Sequence, residues 1–260
     1  YLLGEVWEDG TTKIAYSKRR KYLLGRETHG LMNYPFRTAL LDYLRGGDAA
    51  AFRERMEELR EHYPAPAYYG AMNFLSTHDT PRLLTLLGHE GDAPATRDER
   101  AAYRLSEEEL VRGTTLLKLA ALILYTFPGS PMLYYGDEAG MQGFEDPFNR
   151  GPYPWGHEDT ALLRYFRQLG ALRKAHEALQ RGTIDYCAAQ GRVLAFCRAV
   201  NSEKCITAVN AGEQSAALTL PWDAPLAQDA LTRQSFFCGG GVLRLTLEPY
   251  GAVLLVEPEN

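Results

Sequence analysis

The apolar positions of this chain fall into two regimes. Up to about residue 181, short apolar runs alternate with longer stretches in which apolar residues recur every three or four positions. The runs are Leu2-Leu3, the segment from His29 to Arg37, the segment from Asn73 to Thr77, and Met132 to Tyr135. They lack the in-out alternation of a half-exposed strand and predict buried parallel strands. Between them, Asp48 caps a helix with Phe52, Met56, Leu59 and Tyr63 on one stripe. Ser106 and Glu109 form a capping box that opens a long helix with Leu110, Leu117, Ala121 and Leu124 on one face. A third helix, from Thr160 to about Ala178, buries Leu162, Phe166, Leu169 and Leu172. Residues 8–21 read as a solvated loop with a short helix ending in the basic run Lys18 to Lys21, and residues 88–104 as a charged surface excursion.

Strand and helix thus alternate four times, where a closed parallel barrel needs eight such units. Past Gly182 the pattern changes to short alternating strands broken by turns: Val193–Val200, Cys205–Asn210, Ala216–Leu220, Val242–Leu247 and Ala252–Val256. These predict a small antiparallel sandwich. The fold class is α/β, half of a (β/α)8 barrel over residues 1–181 followed by a β-sandwich over 182–260, with the boundary at Arg181-Gly182.

The polar residues at the strand ends carry the candidate chemistry. Glu5 follows Leu2-Leu3-Gly4, His78-Asp79 closes the third run, and Asp137-Glu138 follows the fourth. A carboxyl at the C-terminal mouth of a buried strand is costly unless water or a ligand meets it, and in a parallel barrel that end builds the active site. One such acid could simply cap a neighbouring loop, but three make a pattern. Two carboxyls held across a sugar-sized gap are what glycosidic bond cleavage requires.

Taken together, Gly4-Glu5-Val6-Trp7, Ser76-Thr77-His78-Asp79-Thr80-Pro81-Arg82 and Tyr134-Tyr135-Gly136-Asp137-Glu138-Ala139-Gly140 resemble three signatures of the α-amylase family of glycoside hydrolases. Asp146-Pro147-Phe148-Asn149-Arg150 and the following residues to Trp155 narrow the resemblance to the neopullulanase, cyclomaltodextrinase and maltogenic amylase group. The resemblance implies strands 5 to 8 of the barrel, hence its C-terminal half, and an α-glucan oligosaccharide as substrate. It makes Glu5 the general acid/base, its carboxyl kept protonated by burial and neighbouring acids. Asp79 would be the ionised acid that stabilises the oxocarbenium-like transition state. His78 would bind sugar hydroxyls, against a strand-end histidine satisfied by backbone. Trp7 would stack on a sugar ring, against a core-filling role. Asp146 and Arg150 would hold more distant glucose units, against a plain i,i+4 surface ion pair. Asp137 and Glu138 read as structural acids near the rim.

The departures from the family matter equally. Its nucleophile sits in a motif resembling Gly-x-Arg-x-Asp on the fourth strand, and that motif is missing here, as is the third-strand motif ending Asn-His. The chain opens in mid-strand without Met, so it is expected to be a fragment of a longer enzyme and inert by itself, because retention needs the nucleophile. An α-1,6-glucosidase or glucosyl transferase on the same scaffold, and a non-catalytic amylase-like protein, are the alternatives.

Composition adds exclusions. The 260 residues are 45% apolar and carry a net charge of −5, which supports neither nucleic-acid binding nor a basic membrane face. No apolar run is long enough for a membrane span. Cys187, Cys197, Cys205 and Cys238 lack paired metal-ligand spacing and read as small buried or free thiols; no metal and no cofactor are expected, and a cytoplasmic location is. Open barrel edges near Leu3 and Leu133 predict self-association, with two copies closing one barrel about a two-fold axis.

Overall fold

The structure is a computed structural model that describes residues 1–258, apart from the side-chain surroundings of residues 25 and 26. Its first part is a four-stranded parallel arc wrapped by helices. Strand β1 (Leu3–Gly4) is followed by a hairpin of β2 (Ile14–Ala15) and β3 (Lys18–Arg19), a π-helical turn over Tyr22–Arg26, and β4 (Gly30–Leu31). Helices α1 (Tyr34–Leu44), α2 (Ala49–His62) and α3 (Ala65–Tyr69) lead to β5 (Met72–Asn73). Helices α4 (Leu83–Gly88), α5 (Arg97–Ala102) and α6 (Glu107–Thr126) lead to β6 (Ser130–Pro131), and α7 (Thr160–Ala175) and α8 (Glu177–Arg181) follow. β1 pairs with β4 and β5 with β6, all parallel, and a parallel bridge between Met32 and Met72 joins the two pairs. The spatial order β1-β4-β5-β6 therefore follows the chain, as in a βα barrel.

Local chemistry explains the helix starts. Asp48 accepts from Ala50 N at the head of α2, and Ser106 and Glu109 form the full capping box of α6. Phe52, Met56, Leu59 and Tyr63 are all buried. Gly129 lets β6 enter the arc: at φ +112, a Cβ there would lie 2.7 Å from Ala71 O.

Five expectations need correction. Leu2 and Leu3 are exposed, because β1 has a strand on one side only among the described residues. The expected strand from His29 to Arg37 stops at Leu31, since Asn33 caps α1 by accepting from Phe36 N and Pro35 sits in the first turn. Residues 8–21 form a hairpin and not a short helix, turning through Tyr16 and Ser17 at φ 52 and 59. Leu110 is 39% exposed, so the buried length of α6 begins at Gly113. The last barrel helix breaks at His176, whose extended backbone separates α7 from α8.

From Thr183 onward the chain is antiparallel. The strands are β7 (Thr183–Gln190), β8 (Val193–Val200), β9 (Glu203–Asn210), β10 (Ala216–Pro221), β11 (Leu226–Asp229), β12 (Ser235–Phe237), β13 (Val242–Leu247) and β14 (Ala252–Val256). They form a six-stranded sheet in the order β12-β11-β14-β9-β8-β7, faced by the pair β10-β13. Alternation sorts the side chains: Ala195, Cys197, Ile206 and Ala208 face Leu220, Trp222 and Leu243 within the sandwich. Leu194, Phe196, Cys205 and Val209 join the core under the helices. The expected sandwich is present; β7, β11 and β12 were not anticipated, and a bulge at Tyr186/Ala188 interrupts the alternation of β7.

Guanidinium groups tie sheet to arc by capping helix C-termini, where carbonyls are unpaired and the dipole is negative. Arg198, fully buried, donates to Thr126 O at 2.7 Å and Gly182 O at 2.8 Å. Arg192 donates to Leu44 O and Gly47 O at the end of α1. All four cysteines are free thiols, and no described helix is long and apolar enough to cross a membrane.

Candidate active site

The C-terminal ends of β1, β4, β5 and β6 open onto one mouth. Glu5, directly after β1, is exposed, contrary to the expectation of a buried carboxyl, and its Oε1 accepts two hydrogen bonds. One comes from Trp7 Nε1 at 3.0 Å and the other from Tyr34 OH at 2.9 Å. The Trp7 and Tyr34 rings are stacked, with centroids 4.4 Å apart. Tyr34 is buried and rests edge-on against Phe74. It is the fixed post against which Glu5 and Trp7 are held.

Tyr34 also senses the second acid. Burial pushes its phenol well above the ordinary range, the Glu5 hydrogen bond and charge push it further, and the Asp79 charge acts the same way. Glu5 accepts directly from this phenol, whereas Asp79 acts on it through charge alone. Sequence reasoning missed Tyr34 by placing it in a strand. The signal was present in Asn33-Tyr34-Pro35, a cap followed by a first-turn proline.

Asp79 and His78 are both exposed, with His78 Nε2 3.4 Å from Asp79 Oδ2. Arg150 approaches from the loop after β6, its Nη2 3.9 Å from Asp79 Oδ1 and its Nε 2.9 Å from Asp146 Oδ1. The i,i+4 ion pair therefore exists, and the same arginine also faces the mouth. Trp7 is 55% exposed and does not fill a core.

The turn carrying His78 and Asp79 is held by a residue that sequence reasoning passed over. Asn149 is fully buried, and its Nδ2 donates to His78 O at 2.8 Å, Thr80 O at 2.7 Å and Thr77 O at 3.3 Å. Three carbonyls need a donor, so the amide orientation is dictated by chemistry. Behind the turn, the buried Arg82 packs against the rings of both Tyr134 and Tyr135, 3.7 Å from Asp137. Asp137 also accepts from Ser76, and burial raises its carboxyl to about 6. Asp137 is thus enclosed in the fold beside Ser76 and Arg82, apart from the exposed acids.

Among the described residues, one mixed group could approach a metal: the ligand atoms of His176, Glu203 and Cys205 lie within 4.8 Å of one another. Glu203 is already engaged by His176 Nδ1 at 2.8 Å and Ala178 N at 2.7 Å, which makes it a cap for α8.

Comparison with known proteins places this geometry. The model of the α-amylase catalytic domain matches residues 1–159, and that of the maltogenic amylase C-terminal domain matches residues 188–254. A cyclomaltodextrinase of Geobacillus thermopakistaniensis is 34% identical over 98% of this chain and 39% of its own length. An amylopullulanase of Thermoanaerobacterium saccharolyticum is 31% identical over all of this chain and 21% of its own length. The chain therefore spans about two fifths or less of these relatives. Among solved structures, a debranching enzyme from Nostoc punctiforme superposes with a TM-score of 0.77 at 26% identity, covering 98% of this chain and 51% of that one. Family models over most of the chain, and a parallel arc with acids at its mouth, carry one conclusion: the chain belongs to the α-amylase family of glycoside hydrolases.

Proposed function

We propose that this chain supplies the acid/base half of a retaining α-glucan hydrolase that cleaves α-1,4 or α-1,6 glucosidic bonds in maltodextrins, cyclomaltodextrins or pullulan. The observation that carries the reading is the placement of two exposed carboxyls past the C-terminal ends of strands in one parallel arc, Glu5 held by Tyr34 and Asp79 beside Arg150. In this mechanism Glu5 protonates the departing glycosidic oxygen and then takes the proton of the attacking water. The Asp79 carboxylate opposes the positive charge that develops on the sugar ring. Tyr34 donates to Glu5 and fixes the carboxyl's direction. His78 binds hydroxyls beside the reacting ring, Trp7 offers its exposed face to a pyranose, and Asp146 with Arg150 holds units further along.

The nucleophile motif is missing from this sequence, so the chain alone does not complete a turnover. The division into catalytic and C-terminal domains falls at Arg181-Gly182, supported by the end of α8 at Arg181 and the start of β7 at Thr183. Four unpaired thiols suit a reducing, cytoplasmic setting.

Two assays test the reading. In the longer enzyme, Glu5→Gln lowers turnover on cyclomaltodextrin by about 100- to 10,000-fold while substrate still binds; near-normal turnover rejects the assignment. The chain by itself shows no turnover, and any activity that Asp79→Asn abolishes would overturn the account of the missing nucleophile.

A further inference from the structure

Three tryptophans occur in this chain. Trp222 is buried inside the sandwich and Trp7 belongs to the mouth, but Trp155 leaves 79% of its surface in water with no role in the site described above. Its loop presents it stiffly. Pro152 and Pro154 fix their own φ angles, Trp155 N donates to Tyr153 O at 2.9 Å, and His157 N donates to Pro154 O at 2.8 Å. The Tyr153 and Trp155 rings pack with centroids 4.5 Å apart, tilted by 51°. Tyr135, itself 41% exposed, ties the loop back to the end of β6 through its hydroxyl to Gly151 O at 2.8 Å.

An aromatic face held rigidly in water carries a hydration cost that a ligand relieves without a large ordering penalty. The apolar face of a pyranose ring is such a ligand. Position supports the same ligand: Arg150, on the same loop, reaches Asp79. The five residues from Arg150 to Trp155 span at most about 18 Å, which is within reach of a short oligosaccharide lying across the mouth.

We propose that Trp155, backed by Tyr153, is a stacking site for a glucose unit remote from the bond being cleaved, and that it makes the loop select longer α-glucans. The inference rests on the glucan-cleaving reading of Glu5 and Asp79.

Tryptophan fluorescence of the whole chain tests it, with maltoheptaose and maltose as probes. In the Trp7→Phe variant, maltoheptaose still changes the emission, because Trp155 is the remaining exposed indole. Trp155→Ala weakens maltoheptaose binding by about tenfold and maltose binding by less than about twofold. Trp155→Phe, which keeps a ring, recovers most of the loss. If Trp155→Ala binds maltoheptaose as the parent does while Trp7 still responds, this proposal falls and the mouth reading stands. If neither tryptophan responds to maltoheptaose, both fall. A Trp155→Ala variant that changes sedimentation but not sugar binding would mark a protein contact and overturn the sugar site.

Discussion

Replacing Asn149 by alanine removes the one side chain that holds three carbonyls of the His78-Asp79 turn. The cost can be worked from the individual bonds. Thr77 O keeps a second donor, Thr80 N at 3.3 Å, and its bond to Asn149 is the longest of the three. His78 O and Thr80 O lose their close donors. A carbonyl left without its partner in a buried place costs about 1–3 kcal/mol, less if water enters the space left behind. Against this, Asn149 Oδ1 is itself buried without a partner, so its removal returns a little. The net expectation is roughly 2–4 kcal/mol, or about 4–7 °C in the melting temperature of a chain this size. Hydrogen exchange should quicken at Thr77, Asp79 and Thr80, whose amides donate within the same turn. Asn149→Asp should be worse, since it sets a carboxylate against carbonyl oxygens. A melting temperature and exchange rates unchanged in Asn149→Ala would refute this account of how Asp79 is positioned.

Arg150→Ala should leave stability within about 1 kcal/mol, because its pairs are exposed, yet weaken long glucans more than a short aryl glucoside in the longer enzyme; equal losses would favour the plain ion pair. Asp137 has its carboxyl raised to about 6 in the folded protein from an unfolded value of 3.8. The unfolded chain therefore loses this proton first as pH rises, and folding stability falls by roughly 3 kcal/mol between about pH 4 and pH 6 and stays lower above that. Asp137→Asn should remove that step from a plot of stability against pH, whatever constant offset the unpaired Arg82 adds. Two copies are expected to associate through the exposed Leu2 and Leu3 of β1; a stable monomer in sedimentation at micromolar concentration would reject this.

Where local signals were sufficient, the sequence alone determined the structure. Asp48 and Ser106 with Glu109 start helices through bonds to their own neighbours, and short apolar runs bounded by turns match Val193–Val200 and Ala252–Val256 to the residue. Strand-end carboxyls beside apolar runs pointed to Glu5 and Asp79 in the same way. Tertiary structure decided whatever depends on partners distant in sequence. Leu2 and Leu3 are as apolar as any core residue, yet they are exposed, because among the described residues β1 has a strand on one side only. Asn149 looks like one more polar loop residue until folding brings it to carbonyls some seventy positions away. Tyr34 became the post for Glu5 because a helix begins where a strand was expected, turning its hydroxyl toward that acid. Periodicity records which face of an element meets the core, but which polar groups meet one another depends on the packing of whole elements.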